Sequence, residues 1–146
     1  MANPDLDRSL GFLLHDISRL LRRRFDTRAR ALELTRAQWS VLIHLYRNEG
    51  ITQTALADIL EVEKITLCRL LDRLEEAGWL ERRSHPNDRR AKCLYLTEKV
   101  HPVQEQMCAI SQAVRDEAYA GMSPQEQDAL INTLIRIKSN LLTVSD

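Results

Sequence analysis

Glycine and proline are scarce in this chain, with four of each among 146 residues. So few turn-formers leave most of the sequence free to follow a helical period. Long apolar runs are missing: none approaches the ~18 residues of a membrane span, and Met1-Ala2-Asn3-Pro4-Asp5 carries no basic, apolar leader. The expected location is the cytoplasm, with no membrane partner. Cysteine is limited to Cys68, Cys93 and Cys108, widely spaced and without a CxxC pair. Neither a zinc site nor an oxidised framework is expected from that pattern. His15, His44, His85 and His101 show no metal-ligand spacing, and no Ser/His/Asp, Cys/His, paired-carboxylate or phosphate-loop arrangement stands out. A metal, another cofactor and catalysis are therefore not expected. A surplus of charge is absent too, since 21 basic side chains balance 21 acidic ones.

What is present is unevenly distributed. Residues 19–30 hold Arg19, Arg22, Arg23, Arg24, Arg28 and Arg30 against Asp26 alone. Residues 64–92 hold Lys64, Arg69, Arg73, Arg82, Arg83, Arg89, Arg90 and Lys92 against five acids. From Thr97 onward the balance reverses, with four basic residues against seven acids. A basic middle and an acidic end point to a local electrostatic footprint for an anionic partner. An apolar content of 44% is enough for the core of one domain.

Six helices follow from the apolar spacing. Leu6, Leu10, Leu13, Leu14, Ile17, Leu20 and Leu21 stripe a first one. Thr35-Arg36-Ala37-Gln38 matches a capping box opening a second, which carries Trp39, Leu42, Ile43 and Leu45 and stops near Asn48-Glu49-Gly50. Thr52 can cap a short third helix with Leu56, Ile59 and Leu60. After Glu61-Val62-Glu63 a fourth carries Leu67, Leu70, Leu71 and Leu74, and Gly78 is placed to end it. Leu80–Ser84 and Lys92–Leu96 read as short strands joined by the turn-rich His85-Pro86-Asn87-Asp88. A fifth helix is expected from Thr97, and Ser123-Pro124-Gln125-Glu126 opens a sixth bearing Leu130, Ile131, Leu134, Ile137 and Leu141.

A short helix, a tight turn and a second helix form a unit whose second helix can enter the major groove. Opposite the leucines of the fourth helix stand Ile65, Arg69, Asp72 and Glu76, flanked by Thr66 and Arg73. Lys64, Ile65, Thr66 and Arg69 are the base-contact candidates, because arginine forks to guanine and methyl groups meet thymine. Asp72 and Glu76 either orient arginines or lie beyond the groove. Period alone favours an ordinary amphipathic helix with a solvated charged face. The basic hairpin favours DNA: it has the character of a wing, with Arg82, Arg83, Arg89 and Lys92 available for phosphates.

These residues carry a family resemblance. Asp88-Arg89-Arg90-Ala91-Lys92 before Leu94-Tyr95-Leu96-Thr97, the run Thr66–Gly78, and Leu34–Trp39 resemble the MarR family of bacterial transcription regulators, and within it the SlyA-like branch, over roughly residues 8–142. The resemblance implies a mainly α fold with a small β-hairpin wing, a winged helix-turn-helix dimerised through its N- and C-terminal helices. One domain would span 1–146, with a DNA-binding lobe at 35–97 and dimerisation helices at 5–30 and 98–143. It implies a homodimeric DNA-binding regulator, a repressor by family habit although the same contacts can activate. Arg90 would enter the minor groove, held by Asp88, with Arg69 on the recognition helix contacting DNA. A small aromatic carboxylate effector would lie near Arg19 and Trp39, residues that otherwise read as an interface charge and core packing. Cys68 is open to a redox role or to simple packing. A winged-helix protein-interaction module and a sequence-independent architectural protein are the competing expectations.

Overall fold

The computed structural model describes residues 5–143. Helix α1 (Leu10–Ala29) is preceded by a separate 3-10 turn at Leu6–Arg8, so Leu6 does not join the first helix as its spacing suggests. A second 3-10 turn, Arg30–Leu32, ends at Glu33 in a left-handed conformation with φ 57°. Helix α2 (Arg36–Arg47) opens on the expected box. Gln38 N–H donates to Thr35 Oγ1 at 3.2 Å, and Thr35 N–H donates to Gln38 Oε1 at 3.1 Å. Two otherwise orphaned donors are thereby satisfied.

Helices α3 (Gln53–Leu60) and α4 (Lys64–Glu76) follow, then strands β1 (Leu80–His85) and β2 (Asp88–Leu96). The strands pair antiparallel, Leu80 opposite Leu96. Gly50 N–H donates to Leu94 O at 2.8 Å and Leu94 N–H to Ile51 O at 2.9 Å, so the approach to α3 lies alongside β2. Both strands are longer than their alternation suggests, leaving only Pro86 and Asn87 in the turn. Helix α5 (Val100–Ala118) begins three residues later than expected, and α6 (Pro124–Thr143) starts with its proline. The Ser123 cap is half of the expected box. Its hydroxyl accepts from Glu126 N–H at 3.2 Å, while the Glu126 carboxylate faces that same hydroxyl at 3.4 Å.

The core lies within the lobe. Val41, Leu42 and Leu45 of α2, Leu56 and Ala57 of α3, Leu67, Leu71 and Leu74 of α4, and Leu80, Leu94 and Val100 are buried in one cluster. Each fully buried leucine contributes about 1.5–3 kcal/mol, which is why this lobe is fixed by its own residues. The terminal helices differ. Neither α1 nor α6 contributes a buried residue. Leu10 to Leu21 of α1 remain 38–53% exposed, and Leu130, Ile131, Ile135, Leu141 and Leu142 of α6 remain 40–76% exposed. α1 is fastened to α5 by Glu117, which pairs with Arg28 and, at 3.1 Å, with Arg24.

Candidate nucleic-acid interface

The turn between α3 and α4 is tight because Glu61 adopts φ 53°. Glu61 N–H then reaches Asp58 O at 3.2 Å and Val62 N–H reaches Ala57 O at 3.1 Å. These bonds satisfy the last carbonyls of α3 and redirect the chain within three residues. Leu67, Leu71 and Leu74 bury one side of α4, leaving Lys64, Ile65, Thr66, Arg69 and Arg73 exposed together along the other. Ile65 is 64% exposed, an unusual position for so apolar a side chain.

The exit from α4 aims the hairpin. Gly78, at φ +82°, donates to Glu75 O at 2.9 Å while Trp79 N–H donates to Leu74 O at 2.9 Å, the paired bonds of a Schellman cap. Lys99 lies 4.4 Å from the centre of the Trp79 ring and bonds Ala77 O, tying the far end of the hairpin to the same corner.

Within the hairpin the register breaks. Ser84 pairs with Lys92 but His85 pairs with Asp88, so Arg89, Arg90 and Ala91 have no cross-strand partner. They bulge from the ladder, which projects the two arginines. Asp88 Oδ1 accepts from Arg90 N–H at 2.9 Å. The acid thus shapes the main chain under Arg90 rather than gripping its guanidinium, a refinement of the role the resemblance implies. Lys92 Nζ reaches Ser84 Oγ at 3.3 Å.

Between α4 and the wing lies an open cleft of about 680 Å³, to which Lys64, Ile65 and Cys68 contribute from one side and His85, Asp88, Arg90 and Lys92 from the other. Its third wall is Thr52, Gln53 and Thr54, the N-terminus of α3. That wall is not among the DNA-contact residues expected from the sequence. The signal was available in Thr52, whose side chain caps α3 by accepting from Ala55 N–H at 3.2 Å, because helix N-termini present free N–H groups to anions.

Three expected residues have partners within the chain. Arg82 does not extend toward solvent: Nη1 lies 2.7 Å from Asp72 Oδ1, and Nη2 donates to Cys68 O at 3.2 Å, both on α4. Asp72 is thereby an arginine-orienting acid. Arg83 lies 4.0 Å over the centre of the Tyr95 ring and pairs with Glu81, yet stays 58% exposed. Arg19 sits on open α1, 3.7 Å from Asp16. It does not join Trp39 within one protomer. Trp39 instead stacks on Phe25, with centroids 5.4 Å apart and planes 3° from parallel. Both rings line a cavity of about 200 Å³ whose basic residues are Arg30 and Arg36 and whose far wall is Met107. Cys68 is half-buried, Cys93 buried and Cys108 exposed.

A family model described as the MarR family matches residues 32–91, from the approach to α2 through the wing arginines. The crystal structure of wild-type MarR in its apo form from E. coli is similar at 30% identity and a TM-score of 0.78, over 88% of this chain and 96% of that one. The chain belongs to the MarR family. The likeness extends beyond the lobe: the transcriptional regulator PA3341 is 39% identical with a TM-score of 0.80, over 93% of this chain and all of the other. A mutant E. coli MarR complexed with operator DNA matches at 30% identity and a TM-score of 0.73, over 88% of this chain and 92% of that one. The chain therefore has the winged-helix fold of the MarR-family transcription regulators. Among its described residues no helix is long and apolar enough to cross a membrane.

Proposed function

We propose that this MarR-family chain is a homodimeric DNA-binding repressor of a pseudo-palindromic operator. The observation that carries the reading is the cleft, where Lys64, Ile65, Arg90 and Lys92 meet although the whole chain has no net charge. α4 enters the major groove, with Lys64, Ile65, Thr66 and Arg69 toward base edges. The Arg89–Arg90 bulge enters the flanking minor groove, and Arg73, Arg83 and Lys92 meet phosphates. The exposed apolar faces of α1 and α6 supply the two-fold interface, since patches of that extent mark interaction surfaces. Two recognition helices about 34–36 Å apart then read half-sites one turn apart. Repression follows from covering promoter DNA.

A small aromatic or phenolic ligand is the proposed release signal. The Phe25–Trp39 cavity supports this reading: about 200 Å³ exceeds the roughly 150 Å³ that holds a benzene ring. The deciding experiment is a salt titration of binding to a selected duplex and to random duplexes. Strong preference for the selected duplex, weakening steeply with salt, is expected. Equal affinity for every duplex would favour an architectural protein, and no salt-dependent binding would favour a protein-interaction module.

A further inference from the structure

We infer that Arg82 is a strut that sets the angle of the wing against the recognition helix, serving DNA binding without touching DNA. The wing and α4 must enter adjacent grooves together, so the angle between them decides whether both fit. Besides its bonds to Asp72 and Cys68 O, the Arg82 guanidinium lies 3.5 Å from Glu75 Oε1. Its own backbone N–H donates to Glu75 Oε2 at 2.9 Å. Residues 68, 72 and 75 follow one another along a single flank of α4, so one side chain on β1 is bonded to two successive helical turns. A planar guanidinium with fixed donor directions transmits orientation as well as attraction.

Exposure separates Arg82 from the other wing arginines. Its side chain is only 17% exposed against 58% for neighbouring Arg83. Arg82 Nε is enclosed with no hydrogen-bond partner, so the group is gripped at both terminal nitrogens and closed to a phosphate at the third. Swinging out to reach DNA would abandon Asp72 and Glu75 as unpaired carboxylates beside the polyanion. Arg82 therefore also neutralises two acids that the recognition helix would otherwise turn toward the wing.

This inference rests on the DNA-binding reading, and the test keeps the two apart by the sign of one substitution. Asp72 is half-exposed and outside the core, so Asp72→Ala leaves the packing intact while removing a negative charge near DNA. If Arg82 is a phosphate contact that Asp72 merely masks, Asp72→Ala tightens binding. If Arg82 is a strut, Asp72→Ala weakens it by about tenfold, the scale of one charge-assisted hydrogen bond. Wild type, Asp72→Ala, Arg82→Ala, the double variant and Arg90→Ala are titrated with a duplex selected from a random pool by the wild-type protein. The titrations run from about 50 to 200 mM salt. Arg82→Ala is expected to bind at least tenfold more weakly with the wild-type salt slope, and the double variant no more weakly than Arg82→Ala. Arg90→Ala should lower the slope by about one per wing. Thermal melting and sedimentation of each variant identify a purely fold-stabilising role, in which melting falls but affinity is kept. That result, a tighter Asp72→Ala, or an Arg82→Ala slope reduced like that of Arg90→Ala overturns the strut while the DNA-binding reading stands. No salt-dependent binding by wild type overturns the reading and the strut together.

Discussion

Among the described residues outside α1 and α6, Ile65 is the most exposed large apolar side chain. An isoleucine at 64% exposure in the first turn of α4 gains little from folding, whereas in the proposed docking it faces the groove where thymine displays its methyl group. Burial of one methyl contributes roughly 0.8 kcal/mol, about fourfold in affinity. Replacing thymidine by deoxyuridine in one half-site of a selected duplex should therefore weaken wild-type binding about fourfold, while Ile65→Ser should bind both duplexes equally. A gel-shift comparison of the four combinations checks this, and equal binding of both duplexes by wild type removes Ile65 from base reading. The same scale shows what spacing could and could not convey. Period two places Arg82 on the face of Leu80, which is buried, and so already turned it toward α4. Charge alone groups it with the solvent-facing arginines, whereas alternation separates it from them. Arg19 could not have been placed that way. Its pairing with Asp16 is an i,i+3 contact that helical spacing allows, but only the three-dimensional path of α1 shows that Trp39 lies elsewhere, stacked on Phe25.

Among the elements, helices were legible wherever a local signal marks an end. The Thr35–Gln38 box, the Ser123 cap with Pro124 and Gly78 after α4 all lie where their chemistry indicates. The bulge in β2 was not legible, because nothing local distinguishes three unpaired residues from a longer turn. Its arginines were identified by type while their projection depends on the break in register. The turn between α3 and α4 was located by sequence, but its strain was not. Glu61 holds φ 53° with an exposed side chain, and Glu33 holds φ 57° before α2. A left-handed conformation costs a non-glycine residue roughly 1–2 kcal/mol, part of which glycine returns as chain entropy. Glu61→Gly and Glu33→Gly should each stabilise the protein by about 0.5–1 kcal/mol, visible as a rise of a few degrees in melting temperature. A fall in melting for either variant would mean that the glutamate side chain contributes more than its backbone costs.

For the whole molecule, one question is how two terminal helices without a buried residue remain folded. The proposed homodimer answers it: Ile17, 48% exposed on α1, and Ile135, 59% exposed on α6, would lie in its interface, which a charge disrupts. Ile17→Glu should shift sedimentation from twice the 16.9 kDa chain mass toward the monomer and abolish tight operator binding, since one half-site cannot replace two. A monomeric wild type would overturn the dimer. The cavity beside Trp39 then acquires its meaning from what surrounds it. Phe25, Asp26 and Ala29 belong to α1, Met107 to α5, and Arg36 and Trp39 to α2, so one small space touches the long helices α1 and α5 and the first helix of the winged-helix core. Asp26 pairs with Arg36 across this space, and an anion bound there competes for that arginine. A ligand shifts lobe spacing only as far as it prefers one spacing over another, and linkage requires operator DNA to weaken the ligand by the same factor. Benzoate, a planar anion small enough for the cavity, should raise the dissociation constant of the selected duplex above a chloride control of equal ionic strength. Coupling energies of this kind are typically 1–3 kcal/mol, or about 5- to 150-fold. Filling the cavity by Ala29→Leu should remove the benzoate effect and leave the chloride response unchanged. If benzoate weakens the filled variant as much as wild type, it acts as a salt on the DNA surface, and the Trp39 cavity is packing space only.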